Sequence, residues 1–276
     1  MRKRVWTYLL YIGLTVMAVL TLAPVGFLLI NSFKSQSEIV VSPMSLPVTW
    51  DFSYILNAAE KINFFQSLGI TFVVTALSVA LIVLASSVAG WIIARAKTRT
   101  ASVMLYMFTA AMLIPFQAVM YPLLSLFEDV GLKNIVGLVL MYGGFGLSLS
   151  VFLYHGFVKG IPTSIEEAAL IDGAGMLKTF FMVVFPLMKS TTATVIILNS
   201  MWIWNDYLLP FLVIGNSPGR TLTLELYFAK MTSGQFGNPW ELIFPAVFVS
   251  IVPIIIVFLL LQKHIVRGVS EGAVKG

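Results

Sequence analysis

The chain has 276 residues, of which 59% are hydrophobic and only 11% are charged. This apolar share lies well above the roughly 45–50% of ordinary soluble domains, so the composition indicates an integral membrane protein. The net charge of +5 comes without a soluble basic domain, which excludes a nucleic-acid-binding role, and the lack of cysteine excludes disulfides and thiolate metal sites.

Six apolar stretches are long enough to be membrane-crossing helices. A helix needs about 20 residues with few or no charges to cross about 30 Å of hydrocarbon. A barrel would instead show alternating segments of about ten residues. The apolar run after the basic start is longer than the 7–15-residue hydrophobic region of a signal peptide, so we expect a retained span there. The sequence predicts one all-α transmembrane domain over residues 1–276, with spans at about 8–30, 68–94, 102–127, 135–157, 190–214 and 242–262.

The lysines and arginines predict the orientation of these spans. Twelve of them lie on the side shared by the two termini, and five lie on the other side. By the positive-inside rule, both termini and the connection 158–189 are predicted to be cytoplasmic. Residues 31–67 and 215–241 would then form two long external loops.

The cytoplasmic connection contains a predicted short helix. Ser164 and Glu167 have the spacing of a capping box after Pro162, and Gly173 ends the helix about two turns later. A helix this short is unstable alone in water, so it needs a surface to hold it. An interfacial connector and a helix that docks on a partner both fit these features. One face carries mostly small side chains that permit close approach: Ile165, Ala168, Ala169 and Asp172.

The run from Glu167 to Pro186 resembles the EAA motif of permease subunits of binding-protein-dependent ATP-binding-cassette (ABC) importers. In that motif, E-A-A is followed after three residues by G and after nine more by I-x-L-P, and here Val183 and Phe185 replace Ile and Leu conservatively. The nearby GAGMLKT lacks the second glycine of a phosphate-binding loop, so ATP binding by this chain is not predicted. Other segments are similar to the carbohydrate branch and its maltose-type second permease: Pro115, Tyr121-Pro122, GLKN at 131–134, IPTSIEEAALIDGAG, WNDY at 204–207 and the terminal QKHIVRGVSEGAVKG.

The resemblance implies a type I ABC importer permease with the EAA loop at 158–189, in which the short helix couples the permease to an ATPase subunit. The implied partners are a second permease, two ATPase subunits that hold ATP and Mg²⁺, an extracytoplasmic solute-binding protein, membrane lipid and a carbohydrate. This chain itself would bind no cofactor or metal. The implied coupling residues are Ser164, Glu166, Glu167, Ala168, Ala169, Asp172, Gly173 and Pro186. The implied contact of the tail with the ATPase pair involves Gly272, Ala273, Val274, Lys275 and Gly276.

Polar residues within the spans are candidates for a solute path. Asp206 is the one charged residue inside a predicted span, and such a residue is by default a functional candidate. Sugar hydroxyls need planar hydrogen-bonding groups and sugar C–H faces stack on aromatic rings, but helix packing explains the same residues equally well. The path candidates are Gln117, Tyr142, Asn199, Trp202, Asn205 and Asp206. By its position, the resemblance assigns contact with the binding protein to the external loop residues Ser233, Gly234, Gln235 and Phe236.

These features predict a multi-pass subunit of the bacterial inner membrane that passes a carbohydrate, in particular an oligosaccharide, to the cytoplasm without catalysing bond chemistry. An ABC importer of a non-sugar solute is the first alternative. An ion-coupled secondary transporter, the second alternative, would need ionisable residues at the membrane midplane. The predicted spans offer few of these, since Asp206 is the one charged residue inside them. The particular sugar does not follow from the sequence.

Overall fold

The computed structural model describes the backbone of residues 2–232 and 237–273 and the side chains of residues 6–231 and 237–256. This part of the chain consists of helices and their connections, which confirms the all-α prediction. In chain order the helices are α1 (Arg2–Asn31), α2 (Gln36–Val41), α3 (Ser53–Lys61), α4 (Phe64–Arg95), α5 (Arg99–Ala111), α6 (Phe116–Asp129), α7 (Ile135–Val158), α8 (Thr163–Ile171), α9 (Met176–Thr179), a π-helical turn (Phe180–Val184), α10 (Phe185–Leu187), α11 (Lys189–Asn205), α12 (Leu208–Val213), α13 (Leu222–Thr232) and α14 (Trp240–Ala273).

Three of these helices are long and apolar enough to cross a membrane. They are Trp6–Asn31 within α1, α4 and α7, and they coincide with the predicted spans at 8–30, 68–94 and 135–157. If each of two bent helix pairs is counted as one span, the number rises to five, and the described apolar part of α14, Trp240–Ile256, is shorter. The count of six spans stays a prediction.

The third predicted span, 102–127, is not one continuous helix. α5 ends at Ala111, α6 begins at Phe116, and the two are bent by 103°. Pro115 has an extended backbone with ψ 141° at the start of α6. Proline has no N–H with which to continue the helix, and it also disfavours the helical conformation in the residue before it. The apolar run therefore folds as a broken pair.

The fifth predicted span, 190–214, is interrupted as well. α11 ends at Asn205, Asp206 is extended with ψ 132°, and α12 begins only at Leu208. The Asp206 carboxylate accepts hydrogen bonds from the N–H groups of Leu208 at 2.9 Å and Leu209 at 3.4 Å. Aspartate is favoured at such positions because it satisfies the free N–H groups of a helix start. The prediction that Asp206 lies inside a continuous helix is therefore wrong.

By its contacts the chain divides into two compact units, of which the first comprises Met1–Leu68 and Leu222–Val257. The N–H of Gln36 donates to the carboxylate of Glu241 at 3.0 Å, and the fully buried Lys34 donates from its ammonium to the carbonyl of Ser42 at 2.9 Å. The segment 31–67, predicted as an external loop, is thus held by contacts within itself and with the start of α14. One buried hydrophobic cluster of this unit consists of Ala58, Ile62, Leu222 and Ala246.

The second unit comprises Gly69–Thr221 and Phe258–Gly276. In it α4 approaches α7 at Gly90, where an added Cβ would lie 2.7 Å from the Cβ of Tyr154 and 3.0 Å from the backbone nitrogen of His155. The hydroxyl of Tyr154 donates to Oγ1 of Thr192 at 2.9 Å, which joins α7 to α11. α7 thus contacts both α4 and α11, and we call these three helices the packed frame.

Candidate functional site

Helix α8 has the predicted length and end. It runs from Thr163 to Ile171, and Gly173 follows with φ +80°, a conformation that glycine adopts readily. The N–H of Ala174 donates to the carbonyl of Ala169 at 2.9 Å, as expected where a helix closes on a left-handed residue. The prediction of a two-turn helix ended by glycine is confirmed.

The predicted capping box at the start of α8 is wrong. The helix begins after Pro162, two residues earlier than a Ser164 cap requires, and no side chain caps it. Ser164 therefore lies within the first turn, and both Ser164 and Glu167 are exposed.

The neighbouring acid, Glu166, is anchored within the chain. Its Oε1 accepts from Nε of Arg95 at 2.8 Å and forms an ion pair with Nη2 of Arg95 at 2.7 Å. Its Oε2 accepts from the indole Nε1 of Trp91 at 3.0 Å. The same Arg95 donates to the carbonyl of Ile161 at 2.9 Å. The last turn of α4 thus binds both the first turn of α8 and the residues just before it.

Sequence reasoning missed Arg95 and Trp91 as parts of this site. The Trp91 side chain is buried, as expected for a residue that packs within the chain. A signal was nevertheless present, because Trp91 and Arg95 are four residues apart and hence share a helix face. An arginine in the last turn of one helix and a glutamate in the first turn of another are also a complementary pair.

The segment after α8 packs through aromatic residues. The ring of Phe180 is buried and lies 5.2 Å from the ring of Trp91 between centroids, while Phe181 and Phe185 lie 5.0 Å and 5.9 Å from Phe180. Val184 is fully buried as well. The segment after α8 therefore packs against the C-terminal part of α4. Pro186 lies within α10, and the segment turns by 77° into α11.

A cavity of about 780 Å³ lies among α5, α6, α7 and α11. Of the six path candidates, Asn199 and Trp202 line it, together with mostly apolar side chains. Gln117 and Asn205 are exposed elsewhere on the chain, and the amide of Asn205 donates to the carbonyl of Met201. The structure therefore brings two of the predicted path residues to one cavity.

Asn199 is the polar group best placed in this cavity. It is 5% exposed, and its Nδ2 donates to Oγ of Ser150 at 3.1 Å and to the carbonyl of Val195 at 2.8 Å. Both amide hydrogens are thereby used, which orients the side chain. Its Oδ1 would lie 2.8 Å from a Cβ added at Gly146, so a glycine is required opposite. Within the described residues no donor reaches Oδ1, which leaves an acceptor for a hydroxyl group.

Tyr142 contacts Trp202, and Asp206 binds Tyr142, while neither of the two lines the cavity. The fully buried Tyr142 donates from its hydroxyl to Oδ2 of Asp206 at 2.9 Å. The Tyr142 ring meets the Trp202 ring edge to face at 5.3 Å, whereas Trp202 itself remains 42% exposed. Tyr142 and Asp206 thus hold the indole rather than line the cavity.

Two groups of predicted residues fall largely outside the described part of the chain. Ser233, Gly234, Gln235 and Phe236 all lie outside it. Of the tail, Gly272 and Ala273 end α14, and Val274, Lys275 and Gly276 lie outside the described residues.

Similarity to known proteins agrees with this architecture. Residues 86–271, more than half of the chain, match the family described as "Binding-protein-dependent transport system inner membrane component". In a solved bacterial ABC transporter involved in the import of the acidic polysaccharide alginate, one chain superimposes with a TM-score of 0.79 at 24% identity and covers 94% of this chain and 96% of its own. The helices therefore have the fold of a type I ABC importer permease.

Relatives of similar length align over nearly the whole chain. The probable starch degradation products transport system permease protein AmyC of Thermoanaerobacterium thermosulfurigenes is 41% identical over 100% of both chains. The multiple sugar-binding transport system permease protein MsmG of Streptococcus mutans is 35% identical over 98% of this chain and 96% of its own. The melibiose/raffinose/stachyose import permease protein MelC of Bacillus subtilis is 34% identical over 92% and 91%. The chain belongs to the family of inner membrane components of binding-protein-dependent transport systems.

Proposed function

We propose that this chain is the membrane-spanning subunit of an ATP-driven importer that passes a carbohydrate from an extracytoplasmic binding protein to the cytoplasm. The family match supports the importer class, and three relatives named for starch products, multiple sugars and raffinose-type sugars support the carbohydrate. The carbohydrate is proposed to be an oligosaccharide. The proposed partners of this chain are a second permease, two ATPase subunits and the binding protein.

The observation that carries the coupling role is the exposed surface of α8. Glu167 and Ala168 are exposed and Ala169 is half-buried, while Leu170 and Ile171 are 54% and 85% exposed. A two-turn helix with this surface suits a groove on another protein, because small side chains let the partner approach closely. We assign docking on the ATPase subunit to this face, with the Glu167 carboxylate paired to a basic group there.

The 780 Å³ cavity is the proposed place where the sugar passes this subunit. The Trp202 indole offers a flat apolar surface, and the free Oδ1 of Asn199 offers an acceptor for a sugar hydroxyl. The two side chains belong to α11 and lie three residues apart, hence on one helix face. Tyr142 and Asp206 keep the indole in place.

The proposed topology has six spans with both termini cytoplasmic, and it places the exposed apolar side chains of α1 against lipid and the second permease. The tail 272–276 is proposed to contact the ATPase pair, and the loop 233–236 the binding protein. Because the chain has no cysteine, single cysteines can be introduced and labelled from either side of the membrane.

Reconstitution tests the function directly. The chain, its second permease, the ATPase pair and the binding protein in proteoliposomes are expected to accumulate sugar when ATP is enclosed on the ATPase side. Accumulation driven by a proton or sodium gradient without ATP would instead identify a secondary transporter. The ligand that co-purifies with the binding protein identifies the solute, and a non-sugar ligand would refute the carbohydrate assignment.

A further inference from the structure

The contact between α4 and α8 combines an ion pair with hydrogen bonds from an indole and to a backbone carbonyl. We call Trp91, Arg95 and Glu166, with the carbonyl of Ile161, the α4–α8 joint. Its four polar contacts measure 2.7–3.0 Å, and the side chains of Arg95 and Glu166 are only 20% and 12% exposed. Charge-assisted hydrogen bonds of this length are the strong ones.

Helix electrostatics favour the same arrangement. Arg95 lies in the last turn of α4, where the helix dipole is negative, and Glu166 lies in the first turn of α8, where it is positive. The ion pair therefore joins two helix ends of opposite polarity. An exposed surface ion pair would contribute little, but this pair is partly buried and shares hydrogen bonds with an indole and a carbonyl.

The joint continues into the packed frame of α4, α7 and α11. The Trp91 ring also contacts Phe180 in the π-helical turn, so α4 holds both pieces that flank Gly173. One residue before Trp91, Gly90 brings the α4 backbone against Tyr154 of α7. Tyr154 in turn reaches Thr192 of α11, the helix that carries the cavity residues. Contiguous packing thus leads from α8 to the cavity.

We infer that Arg95 and Trp91, by holding Glu166, are positioning residues that convert displacement of α8 into displacement of α4. This inference rests on the proposed docking of α8 on an ATPase subunit. Of two adjacent acids, Glu167 faces the partner and Glu166 faces the chain's own span. A two-turn helix between a proline and a glycine needs such an attachment, because its flanking connections alone would let it tilt without moving the spans.

The test compares three variants of the assembled transporter: Glu166→Gln, Glu167→Gln and Glu128→Gln. Glu128 serves as the matched control because it pairs with Lys133 at 3.4 Å on the surface, with the glutamate side chain 67% exposed. For each variant, ATPase subunits that co-purify, ATP hydrolysis and sugar uptake in proteoliposomes are measured. Glu166→Gln is expected to retain the ATPase subunits but to lower the sugar imported per ATP by at least about fivefold, the small end of typical couplings between sites.

The other two variants separate the joint from docking. Glu167→Gln is expected to reduce the amount of ATPase subunits that co-purify. Glu128→Gln is expected to leave both this amount and the sugar imported per ATP at their wild-type values. Arg95→Met should reproduce the effect of Glu166→Gln, and the double variant should be no worse than either single one, since the two residues act as one unit. Arg95→Lys, which keeps the charge but not the fork of donors, should give an intermediate ratio.

Two results would overturn the inference while leaving the proposed function intact. The first is an unchanged ratio of sugar to ATP in Glu166→Gln. The second is a loss of ATPase subunits in Glu166→Gln as large as in Glu167→Gln, because Glu166 would then be a docking contact. Failure of the wild-type chain to co-purify with ATPase subunits would overturn the proposed function itself.

Discussion

Replacing Gly90 by alanine is expected to force α4 away from α7. The new Cβ would lie 2.7 Å from the Cβ of Tyr154 and 3.0 Å from the backbone nitrogen of His155. Packed carbon atoms lie about 3.5–4.0 Å apart, so the two helices must separate by roughly 1 Å. Neither contacting atom is the end of a flexible side chain, and overpacking of this kind costs about 1–3 kcal/mol.

Gly69→Ala is the matched control in the same helix. A Cβ added at Gly69 meets nothing within 4 Å, and alanine is the better helix former by about 1 kcal/mol. Thermal unfolding of the purified protein in one detergent measures both variants. The midpoint of Gly90→Ala should fall below that of the wild type, and that of Gly69→Ala should equal or exceed it. Equal midpoints for the two variants would refute the close approach of α4 and α7.

Three further substitutions follow from the geometry of the site. Asp206→Ala removes the acceptor of two N–H groups and of the Tyr142 hydroxyl, so the free energy of unfolding should fall by about 0.5–2 kcal/mol; an unchanged thermal midpoint would contradict this role. Gly173→Pro should abolish uptake but leave membrane insertion intact, because proline cannot adopt the φ of +80° found there; normal uptake would refute the requirement for this turn. Trp202→Ala should lower the rate of sugar uptake roughly two- to tenfold, the equivalent of about 0.5–1.5 kcal/mol for an aromatic contact; an unaltered rate would remove the indole from the sugar path.

The spans that could be predicted from sequence are those in which the apolar run and the helix have the same limits. α4 and α7 satisfy their own backbone hydrogen bonds over 32 and 24 residues, so hydropathy alone locates them. The interruptions at Pro115 and Asp206 lie inside runs that remain apolar on average. A window of about 20 residues cannot register a break of two to four residues. The sequence therefore predicts continuous spans at 102–127 and 190–214.

The acids of α8 illustrate a different limit. Their position on a short helix ended by Gly173 follows from local chemistry, because glycine allows the left-handed turn. Which of Glu166 and Glu167 is held within the chain depends on where Arg95 lies, and Arg95 is 71 residues away from Glu166 in the chain. The capping box failed for a local reason, since Pro162 already starts the helix before Ser164. Local spacing thus predicts the element, and packing decides the role of each residue.

Crosslinking from Ala168 tests the central claim most directly. Because the chain has no cysteine, Ala168→Cys provides a single reactive site on the exposed face of α8. A cysteine at Asp129, at the end of α6 on the predicted external side, serves as the control. In an assembled transporter that imports sugar with ATP, the cysteine at 168 should crosslink to an ATPase subunit and the cysteine at 129 should not. Sugar import driven by ATP without any crosslink from position 168 to an ATPase subunit would contradict the account.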